Sequence, residues 1–298
     1  MRRILYIVNP VAGTRSKKGL ITLIENRTTE MGIPFEIVTS AANGDYTEWR
    51  QRIRTESITD VVIAGGDGTV SQAIGSLVDL PVRFGILPCG SGNGLAHAAR
   101  IPASTEKALD LVRTGEARPT DAFRINGKFA CMLCGLGFDA EVAHAFARQK
   151  KRGLPTYVKQ TLLQFFRTKS HSFDVVTPER SFYTEAFFIS VANSDQFGNH
   201  VTIAPRARLD DGLLDVVIFP RQNKLRWIGR ALRQLRGGNP PVNPGALNEK
   251  AGILYFQTDR LEIRNPGQAA LHIDGDPAAT ATVFSIRVAP GCFRLIRP

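Results

Sequence analysis

The sequence predicts an α/β domain followed by a β-rich domain, and three observations carry that prediction. First, Asp60-Val-Val-Ile-Ala-Gly-Gly-Asp-Gly-Thr-Val70 joins a β-branched run to three glycines within four residues and then to the apolar positions of a helix. Second, strand-length apolar runs alternate with helical patterns before residue 121, which is the grammar of a parallel sheet. Third, strand patterns follow one another after residue 121 without that alternation. A chain of 298 residues is long enough for two cores, so a boundary is expected near Asp121: residues 1–121 and 122–289, with the last strand, about 290–298, a candidate to return to the first domain.

Ile4 to Val8 read as the first strand, ending in Asn9-Pro-Val-Ala-Gly13, and Ser16 opens a helix with Leu20, Leu23, Ile24 and Met31 at helical spacing. Phe35 to Val38 form a second strand closing at Thr39-Ser40, and residues 44 to 56 a polar helix. Val61 to Ala64 are continuously apolar, as expected of a parallel strand covered on both faces. The helix after Thr69 carries Val70, Ala73, Ile74 and Leu77; Phe84 to Leu87 make the fourth strand, ending in Pro88-Cys-Gly-Ser-Gly-Asn-Gly94. A helix over Ser104 to Thr114 completes the domain. The loops after strands one, three and four should meet at the carboxyl edge of the sheet, where open α/β sheets bind ligands.

Phe123-Arg-Ile-Asn-Gly-Lys-Phe129 reads as a hairpin around Asn126-Gly127. Strands are then expected over 187–192, 213–219, 253–257, 261–264, 269–273, 283–288 and 293–296. Two helical insertions interrupt them. One spans Tyr157 to Arg167 and follows Arg148-Gln-Lys-Lys-Arg152; the other places Leu225, Ile228, Leu232 and Leu235 on one face among Lys224, Arg226, Arg230, Arg233 and Arg236. Each suits an acidic bilayer surface, and each equally suits an ordinary amphipathic helix with a solvated basic face.

The formal charge of +11 favours anionic partners. No run of eighteen apolar residues occurs, and the start lacks a signal-peptide pattern, so a cytoplasmic protein is expected, with peripheral contact to acidic membrane. The four cysteines offer no disulfide framework, and Cys131-Met-Leu-Cys134 is expected in a core strand. The five histidines show no metal spacing and read as incidental. Charge alone motivates nucleic-acid binding; no recognition motif supports it, and no nucleic-acid partner is expected.

Gly65 to Thr69 form a phosphate cradle, because glycines expose backbone N–H groups and the following helix directs its own amides at the same point. The carboxylate of Asp67 in that cradle implies a magnesium-mediated contact or a proton acceptor; the alternative is a tight turn with a local aspartate cap. There is no Gly-x4-Gly-Lys-Ser/Thr, so a P-loop is excluded, and Gly90-Ser-Gly-Asn-Gly94 lacks dinucleotide spacing. Protein-kinase signatures are absent.

Asn9-Pro-Val-Ala-Gly13, Gly65-Gly-Asp-Gly-Thr69, Pro88-Cys-Gly-Ser-Gly-Asn93, Gly137-Phe-Asp-Ala140, Asp210-Asp-Gly-Leu-Leu-Asp215 and Ile273-Asp-Gly-Asp276 together resemble, in order and rough spacing, the diacylglycerol kinase catalytic-domain family. That family includes bacterial lipid kinases and the sphingosine and ceramide kinases. The resemblance implies a nucleotide-binding α/β domain like those of NAD kinases and diacylglycerol kinases, followed by a β-sandwich domain, with ATP and lipid meeting between them. It implies an ATP site at Asn9, Pro10, Val11, Ala12, Gly13, Thr39, Gly65, Gly66, Asp67, Gly68, Thr69, Val70, Ser71 and Ser91. It implies a proton acceptor at Asp276 acting near Asp67, and Mg²⁺ held by Asp211 with the backbone carbonyls of Arg208 and Leu213.

Two departures bear on substrate. The family's Asp-Gly-Glu is Asp-Gly-Asp here, one methylene shorter, so Asp276 must approach more closely or act through water. Gly90-Ser-Gly-Asn-Gly94 stands nearer the Gly-Ser-Gly-Asn-Ala of sphingosine kinases, which within the expected set of diacylglycerol, sphingoid base or related lipid alcohol tilts slightly toward a long-chain base or another lipid alcohol. The rival readings are an NAD-kinase-like enzyme with a soluble substrate and a catalytically silent regulator binding nucleotide or acidic lipid.

Overall fold

The computed structural model of the protein describes residues 2–13, 17–149, 153–196, 202–221 and 253–298. The second helical insertion expected from Leu225 to Leu235 lies outside these residues, as do the basic residues 150–152.

The first domain follows the βα grammar. β1 (Ile4–Val8), β2 (Phe35–Thr39), β3 (Asp60–Gly65) and β4 (Arg83–Pro88) form a parallel sheet in the order β4-β3-β1-β2. Val61, Val62 and Ile63 have no exposed surface, which is why this strand carries no polar alternation. Helices α1 (Lys17–Glu30), α2 (Thr47–Thr55), α3 (Asp67–Leu77), α4 (Gly94–Ala98) and α5 (Thr105–Thr114) connect and cover it, with α3 packed on β3 and α5 on β4.

Two local expectations shift. The third helix begins at Asp67, inside the glycine motif, because Gly66 is extended (φ −97°, ψ −177°) and acts as its N-cap. The second glycine-rich turn leads directly into the short helix α4, entered through Asn93 in the left-handed conformation (φ 52°).

β5 (Glu116–Ile125) and β6 (Lys128–Ala130) make the expected hairpin, with positive φ at both Asn126 and Gly127 as a type I′ turn requires. β7 (Leu133–Gly137) runs into α6 (Phe138–Ala147), and α7 (Leu154–Arg167) follows. Then come β8 (His171–Val176), β9 (Ser181–Ala192), β10 (Leu214–Pro220), β11 (Leu254–Thr258), β12 (Arg260–Arg264), β13 (Leu271–Ile273), β14 (Asp276–Ala278) and β15 (Val283–Arg297). The antiparallel order is β14-β13-β7-β9-β8-β12-β15, and β10 pairs with both β9 and β11.

β15 joins the two sheets. Val283 to Arg287 pair with β12, while Arg294 and Leu295 pair in parallel with Arg83 and Phe84 of β4. The sequence breaks this strand at Pro290-Gly291, yet the structure carries it through on a bulge against β5, between Ala289 and Phe293. The carboxylate of Asp121 holds that bulge, accepting the Gly291 N–H at 2.6 Å and the Gly212 N–H at 2.7 Å.

The apolar interior falls into two clusters. One is built on the parallel sheet and extends to Cys131, Met132 and Leu133; the other lies among β7–β10, β12 and β15, around Phe173, Ile189, Val216 and Phe284. Cys131 lies in the link between β6 and β7 and Cys134 on β7; both are buried, and burial pushes both thiols well up, so neither is a ready thiolate. No helix among the described residues is long and apolar enough to cross a membrane.

Candidate functional site

β1, β3 and β4 deliver their carboxyl ends to one edge of the sheet, and three short loops meet there. Asn9 ties the first to the second: its Nδ2 donates to Thr69 Oγ1 at 2.7 Å, while its Oδ1 accepts the Val11 N–H at 2.9 Å. The second and third loops touch through glycine, since a Cβ on Gly90 would lie 2.6 Å from the Gly66 Cα. Gly13 has φ +70°, and a Cβ there would meet the Cys89 carbonyl oxygen at 2.2 Å. These contacts leave the first-turn amides of α3, which have no acceptor within the helix, facing a common space.

That space is a cavity of about 520 Å³ between the two domains. The first domain contributes Asn9, Val11, Ala12, Gly13, Gly66–Thr69 and Gly90–Gly92; the second contributes Met132, Leu133, Ala143, Phe146, Ala147, Gln196 and Asp274–Pro277. Helix dipole and free amides favour anions on the first side, and apolar side chains favour hydrocarbon on the other.

The two acids singled out from the sequence both line this cavity. Asp67 is the first residue of α3, and its Oδ1 accepts the Gly94 N–H at 2.6 Å. Enclosure pushes its carboxyl up to about 6, against the pull of backbone donors at Gly94 and Asn93, and the negative charge of Asp274 adds to the rise. Asp276 enters from the other domain at the start of β14. Its Oδ2 lies 3.0 Å from where a Cβ on Gly68 would stand, so the absence of a side chain at 68 gives it room.

The remaining residues expected at an ATP site divide. Asn9, Val11, Ala12, Gly13, Gly66, Gly68, Thr69 and Ser91 line the cavity. Pro10 is exposed beside it, Gly65 ends β3, and Thr39 ends β2 at the same edge but outside the lining. Val70 is a buried core residue of α3, and Ser71 turns to the second domain, donating to Asp274 Oδ2 at 2.5 Å.

Asp274 is the residue that sequence reasoning passed over. It is nearly buried, and besides Ser71 it accepts the N–H groups of Cys131, Met132 and Leu133 at 2.9, 2.9 and 3.0 Å. The Asp-Gly-Asp motif announces a turn, and positive φ at Asp274 and Gly275 makes it type I′. Which acid faces inward depends on pairing with β7, which the motif does not contain.

At the Asp210-Asp-Gly turn, Asp211 Oδ1 accepts the Leu213 N–H at 3.1 Å, and the Arg208 side chain leans to Asp210 at 3.6 Å. Partial burial raises the Asp211 carboxyl, and the charge of Asp121 raises it further. Among the described residues no three His, Cys, Asp or Glu side chains gather as a metal cluster. A cation here would therefore rest on one carboxylate, backbone carbonyls and water, a donor set that fits Mg²⁺ and relieves the repulsion from Asp121.

Two family models match successive parts of the chain. Residues 3–125 match the diacylglycerol kinase catalytic domain family, and residues 133–297 match the YegS C-terminal NAD kinase β-sandwich-like domain family. Diacylglycerol kinase of Bacillus subtilis (strain 168) is 25% identical over 281 residues, covering 93% of this chain and 90% of that protein. A protein named "Probable lipid kinase YegS" from Salmonella heidelberg (strain SL476) is 26% identical over 311 residues, covering 99% of this chain and 95% of its own. A crystal structure of a diacylglycerol kinase from Bacillus anthracis str. Sterne shares the fold with a TM-score of 0.78 at 21% identity, covering 100% of this chain and 97% of that one. The chain belongs to the family that joins a diacylglycerol kinase catalytic domain to a YegS-type β-sandwich domain.

Proposed function

We propose that this protein is an ATP-dependent lipid kinase that transfers the γ-phosphate of ATP to the hydroxyl of a lipid alcohol. The observation that carries the reading is the convergence of Asp67 and Asp276, from different domains, on one cavity that joins a helix N-terminus to an apolar wall. The glycine-loop amides and the first turn of α3 bind and align the phosphates, which is most of what phosphoryl transfer needs. Mg²⁺ bound with ATP supplies charge neutralisation, and its presence makes a carboxylate at 67 compatible with phosphate. Asp276 reaches in from the lipid-side domain and takes the proton of the attacking hydroxyl. Asp67, with one oxygen committed to Gly94, orders the phosphate end. A second Mg²⁺ would be held at this turn by Asp211 with the backbone carbonyls of Arg208 and Leu213, and would supply positive charge beside Asp121.

Transfer of labelled γ-phosphate into mixed micelles tests this, offering diacylglycerol, monoacylglycerol, sphingosine, ceramide and phosphatidylglycerol in parallel. One labelled lipid, lost in Asp276→Asn, is expected. No labelled lipid from a protein that binds ATP would overturn the reading in favour of a soluble substrate or a silent binder.

A peripheral membrane contact is part of the same reading. α7 exposes Val158, Leu162, Leu163 and Phe166, spaced along one face at 47, 58, 38 and 63% exposure, with Lys159 and Arg167 on the same helix. Exposed apolar residues flanked by bases suit an acidic bilayer, each base contributing about 1 kcal/mol. Phe166→Glu is expected to release the protein from phosphatidylserine vesicles in co-sedimentation while leaving ATP binding intact; equal binding by the variant would remove α7 from the contact.

A further inference from the structure

The turn that presents Asp276 is supported from below by a buried pair that the transfer reaction itself does not use. His272, on β13, is 1% exposed, and its Nε2 lies 3.3 Å from Asp139 Oδ2. Its other ring nitrogen, Nδ1, accepts the Gly275 N–H at 3.3 Å. An acceptor at Nδ1 must carry no proton, so the ring proton sits on Nε2 and is donated to Asp139. Asp139 stands in the first turn of α6, and its Oδ1 accepts the Ala140 N–H at 2.8 Å, which leaves Oδ2 for the histidine.

The pair occupies space made for it. His272 is the cross-strand partner of Gly135 on β7, and a Cβ at 135 would lie 1.8 Å from Asp139 Oδ2 and 2.5 Å from His272 Nε2. A second histidine, His144 on α6, grips the same strand, its Nε2 lying 2.9 Å from the Leu271 carbonyl oxygen. Both histidines read as incidental in the sequence, because their partners lie on elements far away in the chain.

We propose that His272 is a positioning residue for the proton acceptor: Asp139 holds its proton on Nε2, and Nδ1 in turn holds the Gly275 amide, fixing the turn from which Asp276 projects. This rests on the reading of Asp276 given above. Displacing a reacting group by about 1 Å can cost 10²-fold in rate, so the support acts on kcat while the phosphate loops, and with them the KM for ATP, are untouched.

The chemistry separates this role from simple packing. His272→Asn places an amide oxygen where Nδ1 stood and keeps the acceptor for Gly275; His272→Gln, nearer to histidine in size, carries its oxygen past that point. Expected on the micelle panel is a kcat near wild type for His272→Asn and a loss of about 10²-fold for His272→Gln and His272→Ala, with unchanged KM for ATP. Asp139→Asn has one oxygen for two donors and should lower kcat in the wild-type background but not in the His272→Asn background. Histidine ¹⁵N correlation spectra of the full chain should show His272 protonated at Nε2 alone. A proton on Nδ1, or a rate order that follows side-chain size, overturns the inference. Full transfer by Asp276→Asn overturns the reading beneath it, whereas an inactive Asp276→Asn with a flat series at 272 overturns the inference alone.

Discussion

Asp67→Asn is expected to lose phosphate transfer by about 10²-fold, what a misplaced reacting phosphate costs, and at the same time to stabilise the ligand-free protein above pH 6. The two effects share a cause. Enclosure at the start of α3 holds the Asp67 carboxyl at about 6, against an ordinary 3.8. Between those values the native protein binds a proton that the unfolded chain does not, so stability falls as pH rises through this window and stays lower above it. Asparagine carries no charge to bury and can still offer an oxygen to the Gly94 N–H. Allowing for partial solvent access, the gain is about 2 kcal/mol near pH 8 and vanishes below about pH 4. Urea unfolding of both proteins at the two pH values, without nucleotide or Mg²⁺, measures it. Equal midpoints at pH 8 would mean that Asp67 is solvated and poorly placed to act on enclosed phosphates.

What could be read from the sequence was local. The glycine loops were legible because each lies directly after an apolar strand, and strand ends of a parallel sheet share an edge whatever the rest of the chain does. Asp67 was legible for the same reason. Asp276 was legible only through resemblance, since nothing in a second-domain hairpin reports that it faces Gly68. β8 was missed although its alternation is present, with Phe173 and Val175 buried between more exposed neighbours. α6 was hidden by its start: Gly137, at φ +93°, introduces the helix with no capping side chain. The break read at Pro290-Gly291 was a bulge, and recognising it required knowing that Asp121 accepts the Gly291 amide from another strand. In each case the deciding partner lies far off in the chain, and such partners leave no periodicity.

Asp274 is the clearest such case, and its removal is expected to have the largest effect on stability. Its carboxylate accepts three successive backbone amides from the start of β7 and the link before it, together with the Ser71 hydroxyl of α3. Asp274→Ala leaves those amides buried without their acceptor. Each bond to a charged group is worth about 1.5–3 kcal/mol, but the four share one carboxylate and do not add, so a loss of about 4–5 kcal/mol is expected. Ser71→Ala removes one bond and keeps the other three, and should cost about 1–2 kcal/mol. The comparison matters for function because Ser71 belongs to the helix that carries Asp67, and Asp274 to the turn that carries Asp276. The Ser71–Asp274 bond is thus a direct tie between the two acids' supports, and it is expected to set how far apart they stand. If so, Ser71→Ala should lower kcat by more than its modest stability loss would suggest, at temperatures where the variant is fully folded. An Asp274→Ala protein that unfolds within about 1 kcal/mol of wild type, or a Ser71→Ala protein with unaltered kcat, would show that the two acids are held in register by the sheet alone.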